Sequence, residues 1–192
     1  MLADIARLLL ECGADLNAQN KYGSTPSHAA AQWKIVEVVR VLLEHGANVG
    51  AKTNGGRIPL HSAAENRRME AVHLVEIVRA LLERGANVSA EDNQGRTPLH
   101  RAAEYGRVVV VRVLLEHGAN VGAEDNQGRT PLHRAVGYVR VEGFEAVRVL
   151  LEHGANVGAE DDQGRTSFQI ASERGYNEIV KLLSEYGAMD VL

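Results

Sequence analysis

"EDNQGRTPLHRA" occupies residues 91–102 and recurs, letter for letter, at 124–135, a period of 33. Within the first copy, Asp92-Asn93-Gln94-Gly95 reads as a turn. Asp and Asn bond nearby backbone, and Gly95 takes positive φ at no steric cost. Thr97 followed by Pro98 reads as an N-cap and the first helical residue. The stretch is therefore a turn and a helix start, written twice.

Working outward, the spacing predicts a short helix over 98–105 that closes at Gly106. A second helix follows over 107–117 and ends at Gly118 as its C′ residue. Val110, Val111, Leu114 and Leu115 are predicted to share its inward face. "VRVLLEHGANVGA" occurs at 39–51, 111–123 and 147–159, and a glycine after each apolar run recurs at 13, 46, 85, 118, 154 and 187. Gly23, Gly56, Gly95, Gly128 and Gly164 keep step with that series. The chain is one unit copied. Helices this short are not stable alone, because nucleation is costly. Stacked pairs bury each other's apolar faces, and each buried Leu or Val contributes about 1.5–3 kcal/mol.

"GRTPLHRAA" and "LLEHGANV" together resemble the ankyrin repeat, with its Thr-Pro-Leu-His stretch. The resemblance implies an all-α ankyrin-repeat solenoid of stacked helix-turn-helix units with protruding β-turn fingers. One array is expected over 1–192: a half unit at 1–19, then units at 20–52, 53–91, 92–124, 125–160 and 161–192. Units 53–91 and 125–160 carry insertions of six and three residues between their helices, in "ENRRMEAVHLV" and "GYVRVEGFEAV". These are expected to lengthen a helix end or a loop, either as binding elaborations or as neutral drift. "TSFQ" at 166–169 departs furthest from the motif, in a C-terminal capping unit. In the half unit, Leu2, Ile5, Leu8 and Leu9 are expected to lack part of their cover. Either the chain is cut from a longer array, or that face meets something else.

The bulk numbers narrow the function classes. The chain is 45% hydrophobic and 24% charged, with net charge −4 and only 4% aromatics. A folded protein with an aliphatic core is expected, without long-range attraction for nucleic acid or anionic lipid. Cys12 is the only cysteine, so no disulfide can form within the chain. The N-terminal stretch is interrupted by Asp4, Arg7 and Glu11 and does not read as a signal peptide, and no window has the length of a membrane span. A cytoplasmic protein is expected, with the nucleus open, and no membrane partner.

No catalytic or metal constellation emerges, so no enzyme, cofactor or metal is expected. His28, His61, His100 and His133 take the fourth position of the Thr-Pro-Leu-His stretch, where the family's histidine is structural. His45, His117 and His153 lie in a last helical turn, where partial positive charge suits the helix terminus. Equivalent residues in stacked units stand about 8–10 Å apart, too far to converge on one ion. His73 stands alone in an insertion. The paired acids at 91–92, 124–125 and 160–162 recur in three turns, unlike hydrolase carboxylates. Arg40, Arg79, Arg112 and Arg148 precede Glu by four residues and mark a solvated outer face.

Relatives bind proteins through turn tips and the inner face of the first helix. One first-helix column here reads Trp33, Asn66, Tyr105, Tyr138 and Arg174; its neighbour reads Gln32, Glu65, Glu104, Gly137 and Glu173. Trp, Tyr and Arg are enriched at interface hot spots. At the turns stand Tyr22, Arg57, Arg96, Arg129 and Arg165. The arginines either grip a partner's carboxylates or are neutralised by the flanking acids. Arg101 and Arg134 are expected to extend the basic strip down the inner face. The leading expectation is a non-enzymatic scaffold that binds a protein or peptide on its concave face. Alternatives are an interaction domain cut from a larger signalling or effector protein, or an engineered, consensus-like binder. Nucleic-acid binding through the arginines and tyrosines is disfavoured by the interleaved acids. A monomer is expected, with self-association through the incomplete first unit as the alternative. The resemblance also marks Asn17, in "ADLNA", as the residue for asparaginyl hydroxylation.

Overall fold

The computed structural model describes residues 1–33, 35–65, 71–138 and 143–187. Among them the chain forms eleven α-helices in two layers and no sheet. The first layer holds α2 (Pro26–Gln32), α4 (Pro59–Ala64), α6 (Pro98–Glu104), α8 (Pro131–Gly137) and α10 (Ser167–Glu173). The second holds α1 (Leu2–Glu11), α3 (Val36–Glu44), α5 (Ala71–Glu83), α7 (Val108–Glu116), α9 (Gly143–Glu152) and α11 (Asn177–Glu185). Each helix packs on its neighbours within its own layer, and α2 to α11 also pair across the layers in chain order.

The local chemistry explains each break. Thr97 holds φ −83 and ψ 167, the extended geometry that a following proline demands. Its hydroxyl accepts the His100 N–H at 3.4 Å, while His100 Nδ1 accepts the Thr97 N–H at 3.1 Å. These two bonds satisfy donors that a helix start leaves open. Helix α7 closes as a Schellman turn: the N–H groups of Gly118 and Ala119 bond the carbonyls of Leu115 and Leu114 at 3.0 and 2.9 Å. Gly118 sits there at φ 82.

The core is a continuous aliphatic seam between the layers, from Ala30 and Leu42 to Leu183. The inward face of α7 is shifted from expectation. Val110, Val111, Val113 and Leu114 are buried, but Leu115 is only half-buried. Leu115 differs in this from the equivalent Leu43 and Leu151, which are both buried. The six-residue insertion lengthens a helix end: α5 has 13 residues where α3 and α7 have nine.

The outer arginines do not make the expected pairs four residues on. Arg79 reaches Glu116 of the next unit at 3.7 Å, and Arg112 reaches Glu145 and Glu152 at 3.5 and 3.7 Å. Arg40 bonds Glu76, also one unit on. The stacked neighbour is as near as the next helical turn, and the i,i+4 order Arg-then-Glu opposes the helix dipole. These exposed pairs each contribute at most about 1 kcal/mol.

Candidate partner-binding face

The histidines of the Thr-Pro-Leu-His stretch are committed to the fold. His100 Nδ1 meets two donors, the Thr97 N–H at 3.1 Å and the Thr97 hydroxyl at 2.9 Å, so it carries no proton. Its Nε2–H donates to the Arg129 carbonyl of the next unit at 2.9 Å. His28, His61 and His133 make the same onward bond to the carbonyls of Arg57, Arg96 and Arg165, at 2.8, 2.9 and 3.0 Å. Each ring is thus a helix cap and a clamp between units at once. Burial pushes His61 and His100 down to about 4, against the pull of their carbonyl partners, and lowers His28 and His133 as well. Gln169 supplies only the capping half, its Oε1 accepting the Thr166 N–H at 2.8 Å. The second set of histidines caps the other end: Nδ1–H of His45, His117 and His153 donates to the carbonyl four residues back at 2.8, 2.7 and 2.8 Å. Among the described residues no cluster of His, Cys, Asp and Glu is placed to hold a metal ion.

The turn arginines pair within the chain. Each of Asp92, Asp125 and Asp161 is buried at the base of a finger. Oδ1 of Asp92 accepts the N–H groups of Gln94 and Arg96 at 2.9 and 3.1 Å, folding the turn about the carboxylate. Oδ2 takes Arg96 Nη2 at 3.0 Å and Arg101 Nη2 at 3.2 Å. Asp125 likewise binds Arg134 Nε at 2.8 Å, and Asp161 binds Arg165 Nη2 at 2.8 Å. Burial works against the charged form of Asp161, yet the Arg165 side chain and the turn amides outweigh it and hold the carboxyl at about 2. The same balance lowers Asp92.

The inner acids join this network. Glu65 binds Arg57 and lies 3.6 Å from Arg101, and Glu104 lies 3.8 Å from Arg101 and 4.0 Å from Arg96. In unit 125–160 that column holds Gly137, and Arg129 turns instead to Asp161 of the next unit at 3.5 Å. Arg101 and Arg134 do not extend a surface strip. Both are buried, drawn inward because a buried carboxylate needs a counter-charge.

The aromatic column lies elsewhere. Trp33, Tyr105, Tyr138 and Arg174 are the C-cap residues of α2, α6, α8 and α10, at the far ends of the first helices from the fingers. Trp33 is 65% and Tyr138 is 51% exposed, whereas Tyr105 is half-buried. Arg174 reaches back to the Gly137 carbonyl, beside Tyr138. Asn66 lies outside the described residues, as does most of the insertion around it. Tyr22 stands exposed on the first finger, with Lys21 Nζ 5.0 Å from its ring centre. The fingers and the C-cap column are thus two strips, separated by the length of a first helix.

Two further features emerge at the start of the array. Leu9 is 55% exposed, while Leu42 and Leu114 at the equivalent positions are 4% and 0% exposed. Helix α1 thus shows solvent the face that other second helices bury. Asn17 Oδ1 accepts the Asn48 N–H at 2.9 Å. Sequence reasoning held open the pairing of the turn arginines with flanking acids but did not foresee the burial of Asp92, Asp125 and Asp161. Their signal was present: Asp stands four residues before Arg in three turns, and Asn20 stands four before the uncharged Ser24.

A family model described as "Ankyrin repeats (3 copies)" matches residues 1–92, 69–161 and 125–191. Among curated proteins, none matches the chain. No helix among the described residues is long and apolar enough to cross a membrane.

Proposed function

The chain belongs to the ankyrin-repeat family, and from that premise we propose that residues 1–192 form one scaffold binding a partner protein or peptide on the face made by the first helices and fingers. Ankyrin repeats are in general protein–protein interaction modules, and the family is typically non-enzymatic. The supporting observation is the exposure of Trp33 and Tyr138 at equivalent C-caps, in an array whose core is aliphatic. Neither ring is needed to fill the seam. Each offers a large apolar contact at low entropic cost, and Arg174 adds a charged donor beside Tyr138.

In this reading Trp33, Asn66, Tyr105, Tyr138 and Arg174 form the anchor strip, with Tyr22 contributing from the first finger. Arg57, Arg96, Arg129 and Arg165 shape the fingers, and they engage a partner's carboxylate only by exchanging an internal one. The test is affinity capture with mass spectrometry, comparing the wild type with Trp33→Ala plus Tyr138→Ala. The double variant keeps its helical circular dichroism and loses the captured partner. Unchanged capture removes the anchor strip from the proposal.

The exposed face of α1 favours one second reading, in which two copies pair through Leu2, Ile5, Leu8 and Leu9. Sedimentation at increasing concentration tests it, and a strictly monomeric profile rejects it.

A further inference from the structure

The fingers are joined by a ladder that the partner reading does not use. Asn93 donates its backbone N–H to the Gly55 carbonyl and its Nδ2 to the Asn54 carbonyl, both at 2.9 Å. Asn126 donates in the same way to Gln94 and Asn93 at 3.0 and 3.2 Å, and Asn54 to Tyr22 and Lys21 at 2.9 and 3.1 Å. The fit is close: a Cβ on Gly95 would lie 2.8 Å from the Asn126 nitrogen. Asp162 occupies the next rung. Its backbone N–H still reaches the Gln127 carbonyl at 3.0 Å, but a carboxylate has no proton to donate. Among the described residues it makes no side-chain bond to the preceding finger. An acid at this position therefore keeps one rung and loses the other.

Asn54 is the only asparagine in the sequence followed by glycine; Asn93 and Asn126, in the same turn position, are followed by glutamine. We propose that Asn54 is a site of spontaneous deamidation that loosens the first finger from the second by removing one of the two rungs. Gly55 lacks the Cβ that would hinder approach to its amide nitrogen, and that nitrogen donates no hydrogen bond among the described residues. Asn54 is exposed, so its side chain can leave the Lys21 carbonyl and swing toward Gly55. The Gly55 nitrogen attacks Asn54 Cγ and loses its proton, and the side-chain nitrogen departs as ammonia, closing a five-membered succinimide. Water then opens either carbonyl of the ring to leave aspartate or isoaspartate. The net change is amide plus water to acid plus ammonia, with no oxidant or cofactor. The product adds a negative charge facing the Lys21 carbonyl. It removes the Nδ2 rung, as Asp162 already illustrates, and leaves the finger that carries Tyr22 held at position 54 by the backbone rung alone. The backbone does not require glycine at 55: a Cβ there would meet Thr53 Oγ1 at 3.7 Å and Arg57 Cδ at 3.9 Å, ordinary contacts.

The full-length chain is aged in mildly alkaline buffer, and peptide mapping by mass spectrometry follows each asparagine. Acid and isoaspartate are expected at 54 several-fold faster than at 93 or 126, with Gly55→Gln lowering the rate at 54 to theirs. Equal rates at the three positions, or a Gly55→Gln chain that deamidates as before, overturn the assignment. The consequence has its own readout. Asn54→Asp speeds hydrogen exchange of the amide at position 54, and Asp162→Asn slows it at 162. Unchanged exchange in both variants overturns the loosening.

Discussion

Replacing His100 with glutamine separates the two jobs that its ring performs. Gln169 shows that an amide can accept the cap N–H, so the helix start of α6 survives. The bond from Nε2 to the Arg129 carbonyl is lost. The Arg129 carbonyl keeps the Asp125 N–H at 3.0 Å, so the change removes one net hydrogen bond, and the loss expected near neutral pH is about 0.5–1.5 kcal/mol. Acid then narrows the gap. The wild-type ring titrates at about 4 when folded and near 6.5 when unfolded. Between those values the unfolded chain binds more protons, so the stability held above pH 6.5 drains away as pH falls toward 4. At about pH 5 the loss from this histidine is about 2 kcal/mol, and the glutamine variant does not share it. His61 adds a similar loss to both proteins. Asp161, at about 2, gives up its stability only below the ordinary carboxylate range and stays outside this window. Urea unfolding followed by far-ultraviolet circular dichroism measures the gap at about pH 7.5 and about pH 5. A gap that shrinks by about 2 kcal/mol, to the point of reversing, supports the neutral, clamping ring. A gap that is constant or widens refutes it.

Three further perturbations probe the seam, the buried pair and the last cap. Leu114→Ala is expected to cost about 2–5 kcal/mol in urea unfolding, and Leu115→Ala clearly less because its side chain is only half-buried; equal losses contradict the observed inward face. Arg134→Ala strands the Asp125 carboxylate in the interior and is expected to cost about 3–5 kcal/mol by thermal denaturation. A loss below about 1 kcal/mol would mean that the pair behaves like an exposed one. Ser167 stands where α2, α4, α6 and α8 have proline, after a residue already extended at ψ 163, and its buried hydroxyl has no partner. Ser167→Pro is therefore expected to stabilise by about 0.4–1 kcal/mol, and a lowered melting temperature counts against this view of α10.

The fold was legible because its determinants are local and repeated. Thr97-Pro98 starts a helix, Gly106 and Gly118 end two, and the period carries those decisions along the chain. What escaped was the choice among nearby partners. Leu115 obeys the same helical spacing as Leu114, yet Leu114 is fully covered and Leu115 only half-buried. The arginines at 40, 79 and 112 each have acids within their own helix, but the next unit offers others equally near. Helical periodicity contains no information about a neighbour's rotation.

The arginine ladder shows how such ambiguity bears on function. A column of like residues in register can be a binding strip or a set of structural counter-ions, and composition does not separate them. The turn acids do. Where the base residue is Asp, at 92, 125 and 161, an arginine follows at 96, 129 and 165; where it is Asn20, uncharged Ser24 follows. Where it is Thr53, Arg57 still follows and binds Glu65 instead. Each buried carboxylate thus has an arginine partner inside the chain, though not always from its own finger, as its burial requires. No such requirement governs the C-cap column. Trp33, Tyr105, Tyr138 and Arg174 share a backbone position but neither size nor charge, and three of them are exposed to solvent. A position that the fold tolerates as Trp, Tyr or Arg is not fixed in size or charge by the core. That freedom is why the proposed contact strip lies at the helix ends rather than along the arginines.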